Sequence, residues 1–340
     1  MSAAANRSIV TCLAFETHGP RLLRALFDNI MAALPTNERL RSVDRRFPDG
    51  EVCVEIARSL RGRRVLACQI LSVDAPFSDN ELLALLATIH GCKTAGAERI
   101  IVFVPFLAYS RQDRPDLERG RPATTELIGR LLRSAGADAV VTIAAGATQR
   151  IEMLYRPLRF TAVDPIAPIV AALAPVRPKY LVAPDGGAVR LAEPVAERLG
   201  CELVVAAKQR VDAENVVLNV DAAGIESDAA PVAVVDDLVA SAGTIVALAT
   251  ELRRHRPALD MYVACSHLRP TPVGIRRINE LYSAGCLIGL ATVTLAAPVE
   301  GLRMVPHMPP VAELATDILA ALNTDETFAE DFRGGRAFSA

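Results

Sequence analysis

Short apolar runs alternate with segments of helical periodicity along most of the chain. The runs SIVTCLAF (8–15), RVLACQILS (64–72), RIIVFVPF (99–106), AVVTIAA (139–145), KYLVAPDG (179–186), CELVVAAK (201–208), VAVVDDLV (232–239) and MYVACSH (261–267) have the length and β-branched content of strands buried on both faces. Between them lie NELLALLATIHGCKTAG (80–96), TTELIGRLLRSAG (124–136) and AVRLAEPVAERLG (188–200), each closed by a glycine suited to the position after a helix. This strand–helix rhythm predicts an α/β fold with mostly parallel sheets flanked by helices. It restarts after YRPLRFTAVDPIAP (155–168), which predicts two tandem halves, 1–158 and 159–323. Residues 324–340 are polar and aperiodic and read as a tail.

Composition narrows the function classes. A chain of 340 residues has enough length for a core in each half. Its 37 basic and 39 acidic residues nearly cancel, so no field draws in nucleic acid or a membrane surface, and an anionic ligand must be captured locally. The seven cysteines form no CxxC pair and mostly sit inside apolar runs, as reduced core thiols of a cytoplasmic protein do. No apolar stretch reaches the roughly 18 residues of a membrane helix, and no signal segment is visible at the N-terminus. The five histidines share no metal-ligand spacing; only His267, at the end of its run, is placed to line a site.

The chemistry concentrates at the ends of the apolar runs. In VAVVDDLVASAGT (232–244), a strand through Val232, Val234 and Val235 is expected to end at Asp236, and Ser241, Ala242, Gly243 and Thr244 lead into the periodic segment IVALATELRRH. Outward-facing backbone N–H groups there suit a phosphate, while Asp236 and Asp237 can accept from vicinal hydroxyls or hold Mg²⁺. A sugar phosphate satisfies both ends of this loop; an acidic helix cap is the plainer alternative. PFLAYSRQDRP (105–115) follows a strand and offers Arg111 and Gln112 to polyphosphate oxygens and a purine edge. RRFPDGEVCVEI (45–56) groups Phe47, Asp49 and Glu51 around a Pro-Asp-Gly turn, by itself a hairpin signal. Asp185 stands before two glycines and a helix, where it either caps that helix or touches a metal. Lys208 and Arg210 end a strand and open a stretch expected to be an exposed loop, able to close over a phosphoryl group. Neither a GxxxxGK[ST] loop nor a strand–GxGxxG–helix unit is present.

Taken in order, these segments resemble the ribose-phosphate diphosphokinases, the PRPP synthetases, over roughly residues 8–320. FPDGEVCVEI is similar to that family's FSDGE segment, SDNELLALL to its NDNLMELL helix, PFLAYSRQDR to PYFGYARQDR, VAPDGGAVR to SPDVGGVVR, KQR to the start of its catalytic loop, and VVDDLVASAGT to its PRPP-binding signature. The resemblance implies two phosphoribosyltransferase-like domains and transfer of the β,γ-diphosphate of ATP to the C1 hydroxyl of ribose 5-phosphate, with Mg²⁺ on the phosphates. Carried over position by position, it implies that Phe47, Asp49, Glu51, Arg111 and Gln112 bind ATP. The FPDGE group would come from a neighbouring subunit of a homo-oligomer, a dimer or hexamer. Asp236, Asp237, Ser241, Ala242, Gly243 and Thr244 would hold ribose 5-phosphate, Lys208 and Arg210 would stabilise the transferring phosphoryl group, and Asp185 would lie near the metal. Where the family reads TVDLHAAQ, this chain reads TIAAGATQ (142–149), with Ala144 and Gly146 in place of the Asp and the metal-binding His. Two other readings stay open: a regulatory homologue that binds nucleotide and sugar phosphate with little turnover, and a phosphoribosyltransferase that consumes PRPP.

Overall fold

The computed structural model describes residues 9–14, 38–41, 43–49, 51–69, 78–143, 148–210, 216–219, 225, 231–295 and 301–307, with a few positions up to 320. Ala144, Gly146, the 324–340 tail and the side chains of Lys208 and Arg210 lie outside the described residues. The first half begins with β1 (Ile9–Ala14) and β2 (Glu38–Arg41), followed by an antiparallel hairpin of β3 (Val43–Arg46) and β4 (Val52–Glu55). After it come β5 (Arg64–Gln69), α1 (Ser78–Thr94), β6 (Arg99–Val104), α2 (Thr124–Ala135), β7 (Ala139–Ile143), α3 (Thr148–Tyr155) and β8 (Arg159–Val163). Their main sheet has the order β2-β1-β5-β6-β7-β8, and every pairing in it is parallel.

The second half starts with α4 (Ile166–Leu173), β9 (Tyr180–Ala183), α5 (Val189–Leu199) and β10 (Glu202–Val205). An antiparallel hairpin of β11 (Ala207–Arg210) and β12 (Val216–Asn219) follows. The chain continues through β13 (Val232–Val239), α6 (Gly243–His255), β14 (Met261–Leu268), α7 (Pro272–Ser283) and β15 (Leu287–Leu295). This sheet is also parallel throughout, in the order β10-β9-β13-β14-β15.

The apolar runs are strands because both sheet faces are covered: β6 is buried from Ile100 to Val104, all of β7 is buried, and so are the first four residues of β13. The two sheets share a core. Ile101, Phe103, Val141 and Ile143 belong to one continuous apolar cluster with Ala183, Val235, Ala264 and Val293, joined by Ile169 and Leu173 of α4. Gly136 and Gly200 end α2 and α5 in the left-handed region, φ 114° and 68°, as their place after the periodic segments predicts. Cys53, Cys68, Cys92, Cys201, Cys265 and Cys286 form no disulfide. Among the described residues, no helix is long and apolar enough to cross a membrane.

Three segments differ from the sequence expectation. β13 does not stop at Asp236 but runs to Val239, because its pairing with β14 continues through Val239↔Leu268 after its pairing with β9 has ended at Val234↔Val182. Lys208 and Arg210 do end a strand, but that strand is β11, paired with β12 in a hairpin and separate from β10, where the sequence predicts one continuous run CELVVAAK. His267 lies inside β14 and is fully buried, so it forms part of the packing beneath the site instead of an open wall.

Candidate active site

Two loops at carboxyl ends of parallel strands carry most of the predicted chemistry, which is where open α/β sheets bind ligands. After β6, the chain turns through Phe106 and Tyr109 to Arg111 and Gln112. Tyr109 has φ 63°, in the left-handed region that a bulky residue rarely enters, so the turn needs outside support. It receives it from three directions. The Tyr109 hydroxyl donates to the Asp79 carboxylate, and the Tyr109 carbonyl accepts from the Thr125 hydroxyl at 2.6 Å and from the Gln112 N–H at 2.8 Å. Gln112 is fixed in turn, its Oε1 accepting from the Thr124 hydroxyl at 2.6 Å and its carbonyl from the Thr125 N–H at 3.2 Å. Arg111 remains exposed at this rim, and Asp113 is held 3.4 Å from Arg150. Sequence reasoning missed Thr124 and Thr125 because two threonines opening a helix read only as a cap.

The second loop follows β13. Asp236 and Asp237 are half-buried in the last part of the strand, and Asp236 Oδ1 accepts from the Asp237 N–H at 2.9 Å. Ala242 precedes α6 with φ 54°, a left-handed residue with a side chain. The α6 start has no side-chain cap; Val246 N–H bonds back to the Ala242 carbonyl at 3.0 Å, while the Gly243 N–H has only a long 3.5 Å approach to Ser241 Oγ. Helix-start amides without strong partners, reinforced by the helix dipole, form an anion seat. Ser241, Gly243 and Thr244 are half-buried there, and Ala242 is buried.

Asp185 behaves as a cap: one carboxylate oxygen accepts from the N–H groups of Gly187 at 3.0 Å and Ala188 at 3.1 Å, ahead of α5. Among the described residues, no three His, Cys, Asp or Glu side chains gather to hold a metal ion by themselves. Asp185, Asp236 and Asp237 offer carboxylate oxygens singly or in pairs, the donor set of a Mg²⁺ ion that takes most of its ligands from substrate phosphates and water. Phe47 stands 47% exposed on the β3–β4 turn, whose N–H the Glu51 carbonyl accepts at 2.9 Å; Asp49 Oδ1 accepts from the Glu51 N–H at 3.1 Å. Asp49 and Glu51 are exposed on the same turn.

The two loops meet through His267 and two residues that the sequence did not single out, Phe106 and Arg269. Phe106, just after β6, packs edge-on to the His267 ring with centroids 5.0 Å apart and lies 4.3 Å beneath the Arg269 guanidinium. Arg269 N–H donates to the Val239 carbonyl at 2.9 Å, two residues before Ser241. His267 Nδ1 is 2.6 Å from Thr294 Oγ1. Burial lowers the His267 pKa to about 4, helped by Arg269 and opposed by the Asp237 carboxylate and the Ile143 carbonyl. The ring is therefore neutral at pH 7 and acts as packing between the carboxyl edges of the two sheets.

Comparison with known proteins agrees with this architecture. Residues 22–136 match the N-terminal domain of ribose phosphate pyrophosphokinase, and residues 150–274 match the phosphoribosyl transferase domain. The chain is 32% identical to a ribose-phosphate pyrophosphokinase of Rhodopirellula baltica, over 85% of this chain and 89% of the relative. It is 30% identical to one of Methanopyrus kandleri, over 89% of this chain and 97% of the relative. In fold it is similar to the phosphoribosylpyrophosphate synthetase of Mycobacterium smegmatis, with TM-score 0.75 and 24% identity, covering 93% of this chain and 98% of that one.

Proposed function

Because the chain belongs to the ribose-phosphate pyrophosphokinase family, we propose that it transfers the β,γ-diphosphate of ATP to the C1 hydroxyl of ribose 5-phosphate, giving PRPP and AMP. The observation that carries this reading beyond the family is the contact of Phe106 with His267 and Arg269, since it joins the loop that would hold ATP to the loop that would hold the sugar phosphate. Transfer between two bound substrates needs both within one enclosure, and positioning supplies much of the rate.

On this reading, Arg111 pairs with the nucleotide phosphates, and Gln112, locked by Thr124, meets the purine edge. Phe47, Asp49 and Glu51 complete the base pocket of a neighbouring subunit, which suits their exposure on a projecting turn and makes the active enzyme a homo-oligomer. Ser241, Ala242, Gly243 and Thr244 seat the 5-phosphate on backbone N–H groups, and Asp236 and Asp237 accept from the ribose hydroxyls. That orientation turns the C1 hydroxyl toward the β-phosphorus. Lys208 and Arg210, on the β11–β12 hairpin, neutralise charge as the bond from the β-phosphorus to the AMP oxygen breaks and the bond to the C1 oxygen forms. Bound Mg²⁺, beside Asp185 and the paired carboxylates, would neutralise phosphate charge and orient the triphosphate. Asp236 and Asp237 carry more of that duty in a chain with Ala144 and Gly146 where the family has its Asp and metal-binding His.

Incubation with ATP, Mg²⁺ and ribose 5-phosphate, followed by phosphorus NMR, tests the reading. AMP and a new sugar-linked diphosphate signal are expected to rise together. ATP binding without turnover would instead assign the regulatory role, and diphosphate release from added PRPP on a base acceptor would assign a phosphoribosyltransferase. In the same assay Lys208→Ala is expected to cut kcat at least 100-fold with ATP affinity within about threefold, as loss of a transition-state contact does. Equal losses in both would contradict that role.

A further inference from the structure

The turn that would receive the 5-phosphate is shaped from behind by residues that do not belong to it. Three consecutive carbonyls, from the last residue of β13 into this turn, are engaged by the segment leading into and through α7. Val239 accepts from Arg269 N–H at 2.9 Å, Ala240 from Thr271 N–H at 3.1 Å, and Ser241 from the Arg277 guanidinium Nη1 at 3.1 Å. In a trans peptide the carbonyl of one residue and the N–H of the next point in opposite directions. Holding these three carbonyls toward α7 therefore turns the N–H groups of Ala240, Ser241 and Ala242 away from it, toward the open side of the turn.

The approach of α7 is close enough to exclude any side chain at one position. Gly274 is buried on the first turn of the helix, and a Cβ there would lie 2.0 Å from the Ala240 carbonyl oxygen and 3.4 Å from the Ser241 carbonyl carbon. The same first turn is fixed by Thr271, whose hydroxyl accepts from the Gly274 N–H at 3.1 Å, and by Pro272 at the head of the helix. Ala242, at φ 54°, is the residue whose unfavourable backbone conformation this support keeps in place.

From this arrangement we infer that α7 is a brace for the sugar-phosphate seat, and that Gly274 and Arg277 are positioning residues for ribose 5-phosphate. Arg277 acts through the Ser241 carbonyl, and Gly274 by letting the helix come within reach. The inference rests on the proposed use of the 241–244 turn. It concerns one substrate only, because the nucleotide loop is held separately by Asp79, Thr124 and Thr125.

Steady-state kinetics and titration calorimetry with ribose 5-phosphate alone test it on the full-length enzyme. Arg277→Ala is expected to raise the ribose 5-phosphate KM and Kd about tenfold, the size of a lost charge-assisted hydrogen bond, with kcat and the ATP KM within about twofold. Arg277→Lys, which keeps a cationic donor, is expected to recover part of the affinity, and Gly274→Ala to show the same split with a larger loss. A general loss of stability would not move one substrate's Kd while sparing the other's, nor be rescued by lysine. Unchanged ribose 5-phosphate affinity in Arg277→Ala, or equal losses for both substrates, would overturn the brace while leaving the seat itself standing. Wild-type enzyme that fails to bind ribose 5-phosphate at all would overturn the seat and the brace together.

Discussion

Burial makes His267 a packing residue with a measurable acid liability. The unfolded chain takes up a proton on this ring near pH 6.5, whereas the folded protein resists until about pH 4, because desolvation between Phe106, Thr294 and the sheet edge disfavours the cation. More protons are bound by the unfolded state inside that window, so the stabilising contribution is complete above about pH 6.5 and drains away as pH falls toward 4. At pH 5 the loss amounts to about 2 kcal/mol. Urea titrations at pH 7.5 and pH 5 are expected to show a steeper decline for the wild type than for His267→Asn, which has no ring to protonate. Parallel declines would remove His267 as the cause. The sequence marked this histidine by its place at the end of an apolar run. Its role was hidden because Phe106, the residue that covers it, lies 161 positions away in the chain.

At the scale of elements, the strands and helices read from periodicity are those with uninterrupted apolar faces, such as β6, β7, β13 and α2. Two that escaped, β15 and α7, contain glycine or proline for reasons set by a neighbour. β15 carries Gly289 because the Tyr262 ring of β14 lies across it, 2.1 Å from where a Cβ would stand. In the RPTPVG run before and within α7, Thr271 is a cap, Pro272 a helix start and Gly274 a point of close approach. The connection from β6 to α2 shows how an element start serves a site: Thr124 and Thr125 reach back from the helix to hold Gln112 and the strained Tyr109. Thr125→Val leaves the Tyr109 carbonyl without its 2.6 Å partner and is expected to raise the ATP KM about tenfold, with the ribose 5-phosphate KM within about twofold. A uniform change in both would show that the connection is structural only.

For the whole molecule, the alternating pattern was enough to give two parallel sheets with their apolar clusters and the loops at their carboxyl ends. How the halves face each other was not legible, because contacts such as Phe106 with His267 and Arg269, or Ile143 within one core with Val235 and Val293, join segments far apart in the chain with no local pattern. That facing arrangement would bring the proposed anion seat and nucleotide loop into one site for group transfer. A crystal structure of the enzyme with ribose 5-phosphate and a non-hydrolysable ATP analogue measures it directly. The 5-phosphate is expected on the amides of residues 241–244 and the C1 oxygen within about 3.5 Å of the β-phosphorus, in line with the bond that breaks. Substrates bound at separate places, or a sugar phosphate seated away from residues 236–244, would contradict it.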